Sequence, residues 1–146
     1  MPTVHDILTA KGENVIHKIS ATTTVLDATQ KMNHHKIGAL VVTHDDRIVG
    51  IFTERDVLRR VVAEQKNPAQ ITVGNVMTRE VICAPPQTDL EEVMTIMKNK
   101  RIRHLPVCDE EGQLLGLVSI GDVNAFNTTN QEATIHFLND YIYGRV

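Results

Sequence analysis

Two short stretches of this chain set a hydroxyl and a carboxylate three residues apart in the same frame. Residues 50–58 read GIFTERDVL, with Thr53 and Asp56; residues 116–124 read GLVSIGDVN, with Ser119 and Asp122. Each follows an apolar run. The plainest chemistry of that spacing is a helix cap close to a capping box, which contributes about 1 kcal/mol. The same place also suits an anion. Where a strand ends and a helix begins, free backbone N–H groups and the positive end of the helix dipole favour a phosphate, and a hydroxyl adds a donor. The aspartate would repel a phosphate, but it accepts hydrogen bonds from two vicinal hydroxyls, as a ribose presents them. Gly50 and Gly116 leave space beside the backbone, or are tolerated strand glycines.

No other residues form a catalytic set. Ser119 has no evident base partner, and there is no GxSxG, P-loop or GxGxxG. Carboxylates are spread over turns and solvated faces (HDD, DEE, LEE), with no separated buried pair for acid–base work. The chain therefore reads as a binding protein, not an enzyme, with no catalytic residue. Seven histidines raise a metal site. His34 and His35 are adjacent, so on a helix they point about 100° apart and make no i,i+4 clamp. His5, His44 and His136 lack a neighbouring acid–His pattern, and no metal is expected. Cys83 and Cys108 form no CxxC pair and read as small buried residues in a reducing compartment. A formal charge of −3 argues against a broad nucleic-acid surface. No apolar run approaches the roughly 20 residues that span a bilayer, and the start MPTVHDILTAKGE lacks the form of a signal peptide. A cytoplasmic protein without membrane contact is the expectation.

The elements that must position these residues come from an internal repeat. Residues 23–57 align with 88–123: Thr23 with Thr88, Val25 with Leu90, Met32 with Met97, Ile37 with Ile102 and Val42 with Val107. The second copy carries one extra turn residue, after which Gly50 aligns with Gly116 and Asp56 with Asp122. Each copy opens with a short helical segment, VHDIL or VGNVM, followed by a short strand near 15–19 or 80–83. An amphipathic helix comes next: Val25, Leu26, Ala28, Thr29 and Met32 in one copy, Leu90, Val93, Met94 and Met97 in the other, fit the 3.6-residue period. A hairpin around THDD or EEG and a last helix over 54–64 or 120–128 close the unit. Composition is 42% hydrophobic but only 3% aromatic, so Val, Ile, Leu, Met and Ala must build the core. A unit of roughly 60 residues is marginal alone, so two α/β (α+β) units of order α-β-α-β-β-α are expected to pack as a pseudo-symmetric pair. The divisions are 1–64, a polar linker 65–72 with Pro68, 73–128, and a helical tail 129–146 with Ile135, Leu138 and Ile142 at helical spacing.

The order helix, IGALVV, turn, GIFTERDV, together with its second copy, resembles the cystathionine-β-synthase (CBS) domain. From about Val4 to about Phe126 the chain resembles a free-standing tandem CBS pair. The resemblance implies two repeats stacked sheet to sheet, two clefts between them that take adenine derivatives, and a homodimer of pairs. It implies a regulatory module that modulates a protein partner or its own assembly. The glycine–apolar–x–Thr/Ser–x–x–Asp frame is then the ribose-phosphate signature, and the pockets are crossed. The cleft of Ser119 and Asp122 would meet Ile16, His17 and Lys18, completed by Ile37, Gly38 and Leu117. The cleft of Thr53 and Asp56 would meet Val81, Ile82 and Cys83, completed by Ile102 and Ile51. Val and Ile sandwich a base in such an apolar pocket.

Phosphates need cations, and Arg103 and His104 stand between the clefts, where the first copy has Gly38 and Ala39. Arg55 has Gly121 as its counterpart and can serve one cleft only. The clefts are therefore expected to be unequal. The arginines rank AMP first as ligand, then NAD, ATP, ADP or S-adenosylmethionine. The competing reading is a structural dimerisation module with vestigial pockets. Single-stranded nucleic acid in the clefts is disfavoured by the acidic charge. In one departure from the pattern, Val41 stands where the second copy has Pro106.

Overall fold

A computed structural model describes residues 2–11 and 16–127. The elements run α1 (Val4–Ala10), β1 (Lys18–Ser20), α2 (Val25–His35), β2 (Ala39–His44), β3 (Arg47–Thr53), α3 (Glu54–Val57), α4 (Val73–Val76), α5 (Leu90–Lys100), β4 (His104–Cys108), β5 (Leu114–Ser119) and α6 (Ile120–Asn127). This is the mixed helix-and-strand class the repeat implies. The tail expected as a helix over 129–146 lies outside the described residues.

The two long helices show how closely the copies match. Thr24 caps α2 by accepting from Asp27 N–H, and Asp89 caps α5 by accepting from Glu92 N–H. Both helices end on a left-handed residue, Lys36 (φ 55°) and Arg101 (φ 54°). Val25, Ala28 and Met32 are buried in one, Leu90, Val93 and Met97 in the other. The apolar stripe is narrower than periodicity suggests, since Leu26 and Met94, each one position past a buried residue, face outwards.

In the first copy β1 runs parallel to β2, and β2 pairs antiparallel with β3. Asp45 and Asp46, both at positive φ, make its two-residue turn. In the second copy β4 pairs with β5. Its longer turn is held by the Asp109 carboxylate, which accepts from Glu111 and Gln113 N–H. The expected strand over 80–83 is reduced to one bridge at Ala84. Proline chemistry gives the reason: Val41 N–H donates to His17 C=O (3.1 Å), but its counterpart Pro106 has no N–H to offer Ile82. The helix expected over 54–64 is α-helical only through Val57 and continues over Leu58–Val62 in π register. There Arg60 turns onto the C=O groups of Val76 and Met77, at 3.1 and 3.0 Å.

The opening helices are exchanged. Val4, Ile7 and Leu8 of α1 belong to the core of the second copy, with Leu90, Val93, Leu105, Val107 and Val118. Val73 and Val76 of α4, with Met77, belong to the core of the first, with Val25, Leu40, Val42 and Phe52. Backbone bonds fix the exchange at equivalent places: Val4 N–H to Thr88 C=O and Val73 N–H to Thr23 C=O, each 2.8 Å. Gly116 and Gly50 make the close approach possible. A Cβ on Gly116 would stand 2.6 Å from a Leu8 methyl, and one on Gly50 2.5 Å from the Met77 sulfur. The space beside these glycines is thus filled by the exchanged helices. Ala39, Val41, Pro106 and Cys108 are buried too, although they belong to neither core. They alternate with the core residues of β2 and β4, so they lie on the opposite faces of the sheets.

Candidate functional site

The frames that opened the sequence fold into the same cap and end in different surroundings. At the start of α6, Ser119 N–H donates to Asp122 Oδ2 (2.8 Å) and Asp122 N–H donates to Ser119 Oγ (3.0 Å). At the start of α3, Thr53 N–H donates to Asp56 Oδ2 (3.0 Å) and Asp56 N–H to Thr53 Oγ1 (3.3 Å). In both, β-strand and helix meet as the spacing requires.

Ser119 and Asp122 line a cavity of about 280 Å³ between the copies. Ile16 and His17 reach it from the approach to β1, Ile37 and Gly38 from the approach to β2, and His104 and Leu117 from β4 and β5. These eight residues were assigned to one cleft or to the space between clefts, and they meet. Lys18 does not line it; its side chain is exposed and its C=O accepts from Lys31. Four wall residues escaped the sequence reading: Leu8, Lys11, Lys36 and Ala39. Leu8 and Lys11 arrive only because α1 is exchanged, which no local signal announces. Lys36 was readable as the residue closing α2.

The electrostatics of the cavity are defined by Asp122. Burial alone would raise its carboxyl, but the Ser119 N–H and the Lys11 ammonium outweigh that and hold it below the ordinary range. Lys11 Nζ lies 2.9 Å from Asp122 Oδ2 and donates to Leu117 C=O at 3.1 Å. His104 is lowered, first by burial and then by Arg103 and Lys11, against the opposing pull of Glu54 and Asp122. His17 is lowered by burial, then by His35, Lys31 and Lys11; its ring stands 4.4 Å from that of His35. Near neutral pH the described lining residues therefore offer two neutral imidazoles, the Lys11 and Lys36 ammonium groups and the Asp122 carboxylate. It can hydrogen-bond a diol, face a base with Ile16, Ile37 and Leu117, and neutralise an anion.

The other set does not gather. Asp56 is only 5% exposed. Its Oδ2 also accepts from Thr53 Oγ1 (3.3 Å), its Oδ1 accepts from Thr78 Oγ1 (3.2 Å), and Arg60 Nε stands 3.8 Å away. Thr78 is itself clamped to Ile51 by two backbone bonds of 2.9 Å. Met77 and Thr78 thus cover the strand end where a ligand would sit, and Asp56 has no free oxygen to present. Val81 is half-buried, while Ile82 and Cys83 are exposed. Arg55, Ile102 and Arg103 instead line a groove of about 610 Å³ between α5 and α6, with Met94 and Ile120, where Arg55 donates to Arg101 C=O (3.1 Å). Arg103 therefore lines this groove and is not among the residues lining the Ser119–Asp122 cleft.

Of the cysteines, Cys108 is buried as expected and Cys83 is not. Burial, then the adjacent Cys83, pushes the Cys108 thiol up to about 12. Among the described residues, no three His, Cys, Asp or Glu side chains are placed to hold a metal ion. Among them, too, no helix is long and apolar enough to cross a membrane.

Similarity to known proteins follows the same lines. The model of the CBS domain matches twice, over residues 4–63 and 73–126. The mitochondrial CBS domain-containing protein CBSX3 of Arabidopsis thaliana is 36% identical over 97% of this chain and 72% of its own length. The crystal structure of the CBS domain protein NE2398 superposes with a TM-score of 0.78 at 39% identity, over 83% of this chain and 93% of that one. The CBS domain pair of protein MJ0100, solved in complex with 5′-methylthioadenosine and S-adenosyl-L-methionine, superposes with a TM-score of 0.75 at 25% identity, over 85% of this chain and 98% of that one. With both copies matched and the fold shared, the chain belongs to the CBS domain family as a tandem pair.

Proposed function

We propose that this CBS pair is a regulatory module that binds an adenine nucleotide in the cleft of Ser119 and Asp122. The observation that carries the reading is the meeting of Ile16, His17, Ile37, Gly38, Leu117, Ser119 and Asp122, drawn from both copies, at one cavity. Asp122 is the acceptor for the ribose diol, the isoleucines and Leu117 flank the base, and Ser119 with Lys11 and Lys36 meets the phosphate. The ligands in the MJ0100 complex share the adenosyl group with AMP, which supports the diol and base assignments. At about 280 Å³ the cleft sits at the small end of ligand pockets, which run roughly 300–1,000 Å³. A mononucleotide suits that size, and AMP is the ligand ranked first, ahead of NAD, ATP, ADP and S-adenosylmethionine. Occupancy stabilises the folded module by linkage, and through a homodimer of pairs it modulates a protein partner or the module's own assembly.

The Thr53–Asp56 half fits the competing reading, a structural dimerisation module with vestigial pockets, because its aspartate is already satisfied inside the protein. One experiment separates the readings. Thermal melting with AMP, ADP, ATP, NAD and S-adenosylmethionine should show the largest upward shift for AMP, abolished in Asp122→Ala. A melting temperature indifferent to all five ligands would leave only the structural role.

A further inference from the structure

One oxygen of the Asp122 carboxylate, Oδ2, is engaged in the free protein. Lys11 Nζ holds Oδ2 at 2.9 Å and donates to Leu117 C=O at 3.1 Å, so one ammonium spans the acceptor assigned to the ribose and a backbone carbonyl beside the base. We propose that Lys11 sets the selectivity of this cleft for phosphorylated ligands over bare nucleosides, by exchanging the Asp122 carboxylate for the phosphate when a nucleotide enters. The inference rests on the nucleotide reading above and adds a residue that neither the sequence motif nor the family match singles out.

Three observations support the exchange. The base of Lys11 is fixed by the chain and its head only by those two contacts: its backbone N–H closes α1 on Ile7 C=O (3.1 Å), and its side chain is 38% exposed. The flexible stem can therefore swing the ammonium without moving α1. The pairing is also selective by charge. A neutral diol that displaces the ammonium breaks a charge-assisted bond and strands a cation in a partly enclosed cleft. A phosphate arriving on the same molecule gives that cation a new partner. Finally, few other lining groups can take over. His17 and His104 are held neutral by their surroundings, Arg103 faces the α5–α6 groove, and Lys36 is the one other cation among the lining residues.

The test is titration calorimetry of wild type, Lys11→Met and Lys11→Arg with AMP and with adenosine. Lys11→Met should bind adenosine at least as tightly as wild type and lower the AMP-to-adenosine affinity ratio by about tenfold, the loss expected for one charge-assisted contact. Lys11→Arg, which keeps the charge, should retain most of the ratio. A ratio unchanged in Lys11→Met overturns the inference. So does an equal fall for both ligands, which would make Lys11 a mere support for Asp122. A wild type that binds neither ligand overturns the nucleotide reading itself, and the inference with it. Ligand-free melting of both variants at the wild-type temperature assures that affinities are compared between folded proteins.

Discussion

Replacing Asp56 by alanine should cost this protein stability and leave nucleotide binding intact, the reverse of what the shared motif suggests. The side chain of Asp56 is 7% exposed and accepts from Thr53 N–H, Thr53 Oγ1 and Thr78 Oγ1. Alanine removes the returning half of the capping box, about 1 kcal/mol. It also leaves the half-buried Thr78 hydroxyl without its acceptor, at about 1–2 kcal/mol, the lower part of the range for a buried group left unpaired. The distant Arg60 guanidinium, half-exposed at 3.8 Å, adds little. The expected loss is about 2–3 kcal/mol, a fall in melting temperature on the order of 10 °C for a chain of this size. Asp56→Asn, which keeps a carbonyl oxygen for Thr78, should lose about half as much. Scanning calorimetry gives the stability and titration with AMP gives the affinity, which should stay within about twofold of wild type. A melting temperature lowered by less than ~3 °C would mean that Thr78 does not close on Asp56. An AMP affinity lost as completely as in Asp122→Ala would move the site to the other half of the molecule.

Two further outcomes test the exchanged helices and the charge of the cleft. Gly50→Ala should destabilise by about 1–3 kcal/mol, more than Gly116→Ala in denaturant unfolding. The new Cβ at Gly50 would meet the Thr78 C=O at 2.9 Å as well as Met77, whereas at Gly116 it meets only the mobile end of Leu8; equal losses would refute the ordering. Acid should weaken the fold in two steps. His104 and His17 are depressed in the folded state, so the unfolded chain binds more protons and stability falls as pH drops below their usual 6.5. Asp122, also depressed, holds its contribution above its usual 3.8 and loses it as pH falls through the lower folded value. Melting temperature against pH reads both steps, and a profile in His104→Gln identical to wild type between pH 7 and 5 would contradict the first.

Local chemistry was legible wherever it stayed local. The caps at Thr53 and Ser119, the buried positions of α2 and α5, and the two hairpins depend on residues within a few positions of one another, so spacing announces them. The strand lost at 80–83 was also legible in principle: Pro106 opposite Val41 in the alignment declares a missing N–H, but only once β1 is known to pair through Val41. The exchange of α1 and α4 had no such sign. VHDIL and VGNVM carry the same apolar spacing, and either would satisfy either core; long-range contacts such as Val4 to Thr88 and Val73 to Thr23 decide between them.

That one illegible choice accounts for most of what the motif alone misjudged at the site. Because α1 crosses to the second copy, Leu8 packs over Gly116 and Lys11 enters the cleft beside Asp122. Because α4 crosses to the first, Met77 packs over Gly50 and Thr78, next in the chain, bonds to Asp56. The two frames are equivalent as caps, and the exchange is equivalent as architecture. What differs is the residue each crossing segment delivers to the aspartate. Thr78 brings a short hydroxyl, on a backbone fixed by two bonds to Ile51, that occupies Asp56 Oδ1. Lys11 brings a long, partly exposed cation that pairs with Asp122 at the wall of the other cleft. The two aspartates thus differ in their partners, Lys11 for one and Thr78 for the other, and these residues lie outside the aligned 23–57 and 88–123 segments rather than at Arg55 against Gly121 or Gly38 against Arg103, where the difference was expected.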